Sequence, residues 1–327
     1  MDNLTHSLVG AVLGQAGLKK TTGLAMPALI IGANLPDVDA ACFFWLDELE
    51  HLAFRRGITH GPPALVLLPL VLAGLLWGSD RWQTKRGTRP ERRLPVRFGW
   101  LYAMAFVGCL SHPFFDWLNV YGIRLLEPFS SQWFYGDTLF IIDVWLWGLL
   151  IGAVSWSWWR EKTGGDQRPI ARGAIAIMPA YIGLNWGISQ YERARVFETL
   201  PILECVEKSS CEWDMTMIAS PMPLIPWYRE ILIDDFGGWS VLGPDDAGEY
   251  DVRKPLAGRQ CKLPDFTEAR RTNSQLDAFL FWSRAPFLTR AADGSVVLRD
   301  ARFTDPRVGD RFSLALHNVK CEELPTP

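Results

Sequence analysis

His112 and Asp116 stand four residues apart in an apolar stretch. On a helix that spacing sets both side chains on one face, about a turn apart. Neutral imidazole and carboxylate are the usual ligands of Zn²⁺ and similar divalent metals, so the pair is a candidate metal-binding element. Asp37 and Asp39 flank Val38 directly after Pro36. A regular helix would point them apart, but Pro36 disfavours helix at Leu35 and lets the backbone bend until both reach one centre. His6 opens the first apolar segment, His60 precedes Pro62 at the head of the third, and Asp143 begins the fifth. Ionisable side chains are expensive inside a bilayer, so each of these seven is a functional candidate wherever the surrounding segment is membrane-embedded.

The elements that must position them read as membrane helices. Crossing a bilayer core of about 30 Å takes about 20 mostly apolar residues. Residues 62–78 carry no charge, and 139–159 carry only Asp143. Residues 98–119 qualify with His112 and Asp116 near one end, and 170–190 form a weaker segment with Arg172 at its start. Residues 4–18 are apolar but short, and 24–45 are interrupted by Asn34-Leu35-Pro36-Asp37. Such pieces are half-spanning or kinked helices, tolerated where protein covers the irregular backbone. Twelve of the 16 Trp precede residue 190, in keeping with interfacial aromatic belts. The expected fold is an α-helical polytopic membrane domain over residues 1–190, of about four to six segments. Its first two segments are kinked or half-spanning.

Loop charges orient it. Arg81, Lys85, Arg86, Arg89, Arg92, Arg93 and Arg97 fill one loop, Arg160, Lys162, Arg168 and Arg172 another, and Lys19 and Lys20 the first turn. The opposite loops hold only Arg55, Arg56 and Arg124. The basic side is expected in the cytoplasm, which puts residues 191–327 outside it. In this orientation all seven ionisable residues fall toward the outer face, although the orientation came from other residues. A proton or ion path would be strung across the bilayer instead, while any single His can serve as an interhelical hydrogen-bonding group. Asp143 also suits a supporting role behind a ligand. His51, beside Asp47, Glu48 and Glu50, and His317, in an alternating run, read as residues without chemistry.

Residues 191–327 are far more charged, with 17 Lys/Arg against 22 Asp/Glu. Short β-prone runs at 214–218, 229–233 and 311–319, and a hairpin over 287–299 around Asp293-Gly294, predict a small, mostly β or α+β domain. Asp235-Phe236-Gly237-Gly238 reads as a turn. Cys205, Cys211, Cys261 and Cys321 suggest two disulfides in an exported domain. Three connectivities exist, and proximity favours Cys205–Cys211 with Cys261–Cys321. The 327 residues, 49% hydrophobic at net charge −3 and without a basic tail, exclude a peptide, a disordered chain and nucleic acid as main partner.

As a set, several runs are recognisable: Leu4-Thr5-His6-Ser7 with Gly10, Asn34-Leu35-Pro36-Asp37-Val38-Asp39, Arg56-Gly57-Ile58-Thr59-His60 and Ser111-His112-Pro113-Phe114-Phe115-Asp116-Trp117. Asn119-Val120-Tyr121-Gly122, Pro128-Phe129, Gly136-Asp137 and Asp143 extend them. Over about residues 1–160 the chain resembles the YdjM-type membrane-bound metal-dependent hydrolases of the bacterial inner membrane. The resemblance implies that His6, Asp37, Asp39, His60, His112 and Asp116 hold metal. The order His…Asp…His…His-x3-Asp is more distantly similar to the zinc-dependent phospholipase C group, without its later His-x3-Glu pair.

The chemistry expected is activation of water on one to three divalent ions, zinc first, against a phosphoester or ester. Asp143 or Asp137 would act as base, and Arg56 would bind an anionic group of the substrate. The partner expected is membrane lipid, the substrate a lipid or lipid-linked molecule reached from the outer leaflet. A non-catalytic, metal-stabilised membrane scaffold is the alternative.

Overall fold

The computed structural model describes residues 1–47, 49–199, 216–235, 238–243, 252–256, 259–291, 293–304, 309–317 and 319–324. Its helices are α1 (Asn3–Gln15), α2 (Ala25–Asn34), α3 (Glu50–Phe54), α4 (Pro62–Lys85), α5 (Phe98–Trp117), α6 (Val144–Lys162), α7 (Arg168–Thr199), α8 (Thr267–Thr272) and α9 (Ser274–Trp282). Two compact units divide the chain: Met1–Ala41 with Arg55–Asn185, and Cys42–Phe54 with Trp186–Pro327. The segment Cys42–Phe54, expected within the first domain, thus groups with the second, where α3 packs on α9. A reading by contiguous composition has no means of seeing such an excursion.

The first unit is helical, with α2 packed on α1 and α5, α4 on α5, and α1 on α6. Ala25–Phe44, Pro62–Lys85 and Phe98–Trp117 are long and apolar enough to cross a membrane. The expected segments at 139–159 and 170–190 fold as helices but are not among these three. The first starts late because Asp143 is the N-cap of α6, accepting from the amides of Trp145 (3.1 Å) and Leu146 (2.8 Å). Val66, Leu67, Leu70, Val71 and Leu75 of α4 are exposed, an apolar face in keeping with lipid contact. As Pro36 suggested, α2 gives way at Leu35 to a 3-10 stretch, Leu35–Phe44.

Three glycines set the spacing of the helices. A Cβ on Gly10 would stand 2.7 Å from the Leu29 carbonyl oxygen, one on Gly108 2.4 Å from the same atom, and one on Gly32 2.6 Å from the Ala105 oxygen. Small residues of this kind let backbones of buried helices approach closely. Gly10 lies one turn after His6, and Gly108 one turn before His112, so the tight contacts lie directly beside the candidate ligands.

The basic loops meet at the other end of the helices. Lys19 pairs with Glu161, Arg172 Nε donates to the Ala16 carbonyl (3.1 Å), and the Gly23 amide donates to Pro95 O (3.1 Å).

The second unit holds two antiparallel sheets, ordered β1-β2-β3-β4 and β5-β6-β7-β8. The first comprises Met217–Pro221, Arg229–Asp235, Gly238–Gly243 and Val252–Pro255; the second Arg259–Cys261, Pro286–Arg290, Val296–Asp300 and Ser313–Leu316. The expected hairpin is β6–β7, in register Leu288↔Leu298, with Gly294 at φ 86° in its turn. Cys261 and Cys321 form a disulfide; Cys205 and Cys211 lie outside the described residues. A fully buried ion pair, Asp300 with Arg302 (2.7 Å), sits at the end of β7, where Asp300 also accepts from Ser283 Oγ (2.6 Å). Burial alone would raise the Asp300 pKa. The charge and hydrogen bonds of Arg302, with the Ser283 hydroxyl, outweigh it and hold the carboxyl below its ordinary range.

Candidate metal centre

Four elements bring the predicted ligands together. Asp2 caps α1, accepting from the amides of Leu4 (3.0 Å) and Thr5 (3.1 Å), and starts the helix that buries His6. The C-terminal end of α5 supplies His112 and Asp116, the 3-10 stretch after α2 supplies Asp37, and a short 3-10 turn, Ile58–His60, supplies His60.

The His6 and His112 rings stack at 3.8 Å between centroids, 18° from parallel, and His60 lies tilted at 5.0 Å from His112. Asp116 is the hub. Its Oδ1 is 3.3 Å from His6 Nε2, and its Oδ2 is 3.5 Å from His112 Nε2 and 3.7 Å from His60 Nε2. Asp37 Oδ1 lies 3.8 Å from His112 Nε2. Two groups, His6/Asp37/His112 and His60/His112/Asp116, each have one ligand atom per residue within 4.8 Å of the others.

The ring orientations suit ligation. His112 Nδ1 lies 2.7 Å from the Ala33 carbonyl. A carbonyl accepts only, so Nδ1 carries the proton and the Nε2 lone pair faces the cluster. His60 Nδ1 is 3.0 Å from Thr59 Oγ1, which leaves its Nε2 toward Asp116. Burial first, and the neighbouring His112 next, push the His60 imidazole well below its ordinary pKa and keep it neutral. Both ring nitrogens of His6 and Nε2 of His60 and of His112 are buried without a hydrogen bond. Unpaired buried polar atoms cost about 1–3 kcal/mol each. A divalent cation supplies what this set of lone pairs lacks, so the residues present fit one.

Other predicted site residues take different places. Asp39 belongs to neither group. Its Oδ2 accepts from the Arg56 amide (2.8 Å) and Thr59 Oγ1 (3.2 Å), and its Oδ1 is 3.6 Å from Arg55 Nε, so it holds the 55–60 segment in place. Arg56, expected to bind substrate, is turned inward. Its Nε is 3.0 Å from Asp116 Oδ2, its Nη1 donates to Asn119 Oδ1 and Gly122 O (both 3.1 Å), and its guanidinium covers the Tyr121 ring at 4.4 Å. The amine of Met1 also pairs with Asp116. Asp143, expected as a base, caps α6 and accepts from Tyr181 Oη (3.0 Å) instead, because the start of that apolar helix needs its carboxylate. Asp137 is buried, in left-handed backbone at φ 47°, and is in neither ligand group.

Residues not foreseen complete the frame. Arg55 Nη2 donates to Asp37 Oδ1 (3.1 Å), and Asn119 accepts from both Arg56 and the Tyr121 amide (2.9 Å). Thr59 touches both Asp39 and His60. The run Arg55-Arg56 beside His60 was a usable signal for the first, and the recognisable run that opens at Asn119 was one for the second.

The model of the YdjM inner membrane protein family matches residues 1–194. The chain belongs to the YdjM inner membrane protein family. The YdjM match covers the whole helical unit and every candidate ligand, and ends before the first β-sheet. No curated protein and no solved structure matches the chain.

Proposed function

We propose that this YdjM family member is a membrane-embedded, metal-dependent hydrolase that cleaves a phosphoester or ester of a lipid or lipid-linked substrate. The observation that carries this reading is the set of buried, unbonded imidazole nitrogens converging on Asp116. His6, Asp37, His60, His112 and Asp116 would hold one to three divalent ions. Nitrogen and oxygen donors suit zinc first. A bound ion of this kind supplies Lewis acidity, which lowers the pKa of water toward neutrality and polarises a phosphoryl or carbonyl oxygen.

The chain's own groups prepare that chemistry. The Ala33 carbonyl fixes the proton of His112 on Nδ1, and Thr59 orients His60. Arg56 and Asn119 hold Asp116 and the segment after α5. Asp37 is the one member of the cluster that is not fully buried, and Arg55 Nη2 holds its Oδ1.

The gathering of basic loops at the helix ends remote from His6 and His112 supports a multi-pass topology with the cluster toward the outer face of the bacterial inner membrane. In that topology residues 191–327 lie outside the cytoplasm.

A scaffold whose cluster is structural is the second reading, favoured by one observation. Arg56 already neutralises Asp116 from within the protein. Metal analysis of the purified protein, with phospholipid turnover before and after chelation, separates the two. The hydrolase requires bound metal and turnover that chelation abolishes. Bound metal with no turnover on a broad lipid panel selects the scaffold, and absence of metal overturns both.

A further inference from the structure

The connection between β1 and β2 reads PMPLIPWY and carries no charge over residues 221–228. Leu224 and Trp227 are 64% and 65% exposed, and Ile225 and Tyr228 are exposed as well. The turn is built, since the Tyr228 amide donates to Ile225 O (3.1 Å) around Pro226. Arg229 behind it is 0% exposed and acts as a clamp. Its Nη1 donates to Pro226 O (2.8 Å) and Tyr228 O (3.0 Å), and its Nε to Ser189 Oγ (2.8 Å) on α7. A buried guanidinium therefore holds an apolar, outward-facing turn rigidly against a helix. One helical turn before Ser189 on that helix, Trp186 is itself exposed.

We propose that the 224–228 turn is an interfacial anchor, seated at the boundary between headgroups and acyl chains of the lipid bilayer. Three observations select lipid as its occupant. Trp and Tyr with aliphatic neighbours and no charge is the composition that partitions to that boundary. The turn is tied to α7 at Ser189, one helical turn after the exposed Trp186, so a further exposed aromatic stands beside it on that helix. The chain belongs to an inner-membrane family, so a bilayer is within reach of the folded protein. This role is independent of the hydrolase reading and concerns a turn that lies beyond the family match.

The test uses the full chain reconstituted in vesicles of phosphatidylethanolamine and phosphatidylglycerol at 3:1. Leu224→Cys and, separately, Trp227→Cys carry a bimane label, with Glu268→Cys on exposed α8 as reference. Unsubstituted protein taken through the same labelling gives the background. Doxyl-labelled lipids should quench the label at 224 and at 227 at least threefold more than at 268, and iodide should quench it several-fold less. Equal iodide access at all three positions, with no doxyl quenching, overturns the proposal. Protection from both quenchers that disappears at one chain per nanodisc also overturns it, by assigning the turn to a second copy of the chain.

Discussion

His6 and His112 lie face to face, ring centroids 3.8 Å apart, at one end of two helices whose backbones are drawn together by Gly10 and Gly108 against Leu29. Adding a methyl group at Gly108 places it 2.4 Å from a backbone oxygen that has no rotamer in which to move away. Gly108→Ala should therefore destabilise the bundle by about 1–3 kcal/mol through overpacking. Cation binding should weaken with it, because the rings separate with the helices. Thermal unfolding in detergent and metal content by mass spectrometry, read on the same preparation, check both; a variant of unchanged stability would show that the α2–α5 contact is loose.

His112→Ala should remove bound divalent metal, since His112 belongs to both ligand groups. Thr59→Val keeps the shape of the side chain and deletes the hydroxyl beside His60 Nδ1. Loss of a partner that orients a ligand typically weakens metal affinity by 10–100-fold. Competition with a chromogenic chelator measures the difference. Equal affinity in Thr59→Val would remove that hydroxyl from the site.

Arg56→Ala strips a buried carboxylate of its guanidinium. Breaking a buried pair from one side costs about 3–5 kcal/mol. The loss should be largest in chelator-treated protein and smaller after metal is restored, because both cations answer the same charge. Denaturation midpoints of the two forms test this; an identical loss in each would mean that Arg56 and the metal do not share Asp116.

In the second unit, the Asp300 carboxyl is held below its ordinary range, so folding favours its charged form. That contribution is complete above the unfolded carboxyl pKa, about 3.9, and disappears as pH falls through the lower folded value. Asp300→Ala should cost about 3–5 kcal/mol at neutral pH. The gap between variant and parent should narrow in acid. Hydrogen exchange of the β6 and β7 amides across that pH range gives the readout, and a gap independent of pH would assign the loss to packing alone.

Much of the site could be read from the chain because its signals are local. The i, i+4 spacing of His112 and Asp116 survives as a shared helix face, and Pro36 does end α2, at Leu35. The hairpin at Asp293-Gly294 rests on two adjacent residues and a positive φ. The inward turn of Arg56 was not legible, since its acceptor Asn119 lies 63 positions away. The place of Asp143 is local again. An Asp directly before an apolar helix is an N-cap signal, and its carboxylate does accept from the Trp145 and Leu146 amides. The grouping of Cys42–Phe54 with the second unit depends on α3 meeting α9, a long-range contact that no window of composition contains.

The five clustered side chains come from four elements spread between His6 and Asp116, and α5 provides two of them. Joined at one centre, they would close large loops of backbone at once, restricting the denatured chain as a cross-link does. The Cys261–Cys321 bond closes a single loop of the same kind, with 60 positions between its ends, in the other unit. With the proposed ion bound, each half of the protein would carry its own tether, one sensitive to chelators and the other to reductants. Unfolding followed under each reagent in turn should release the two units separately.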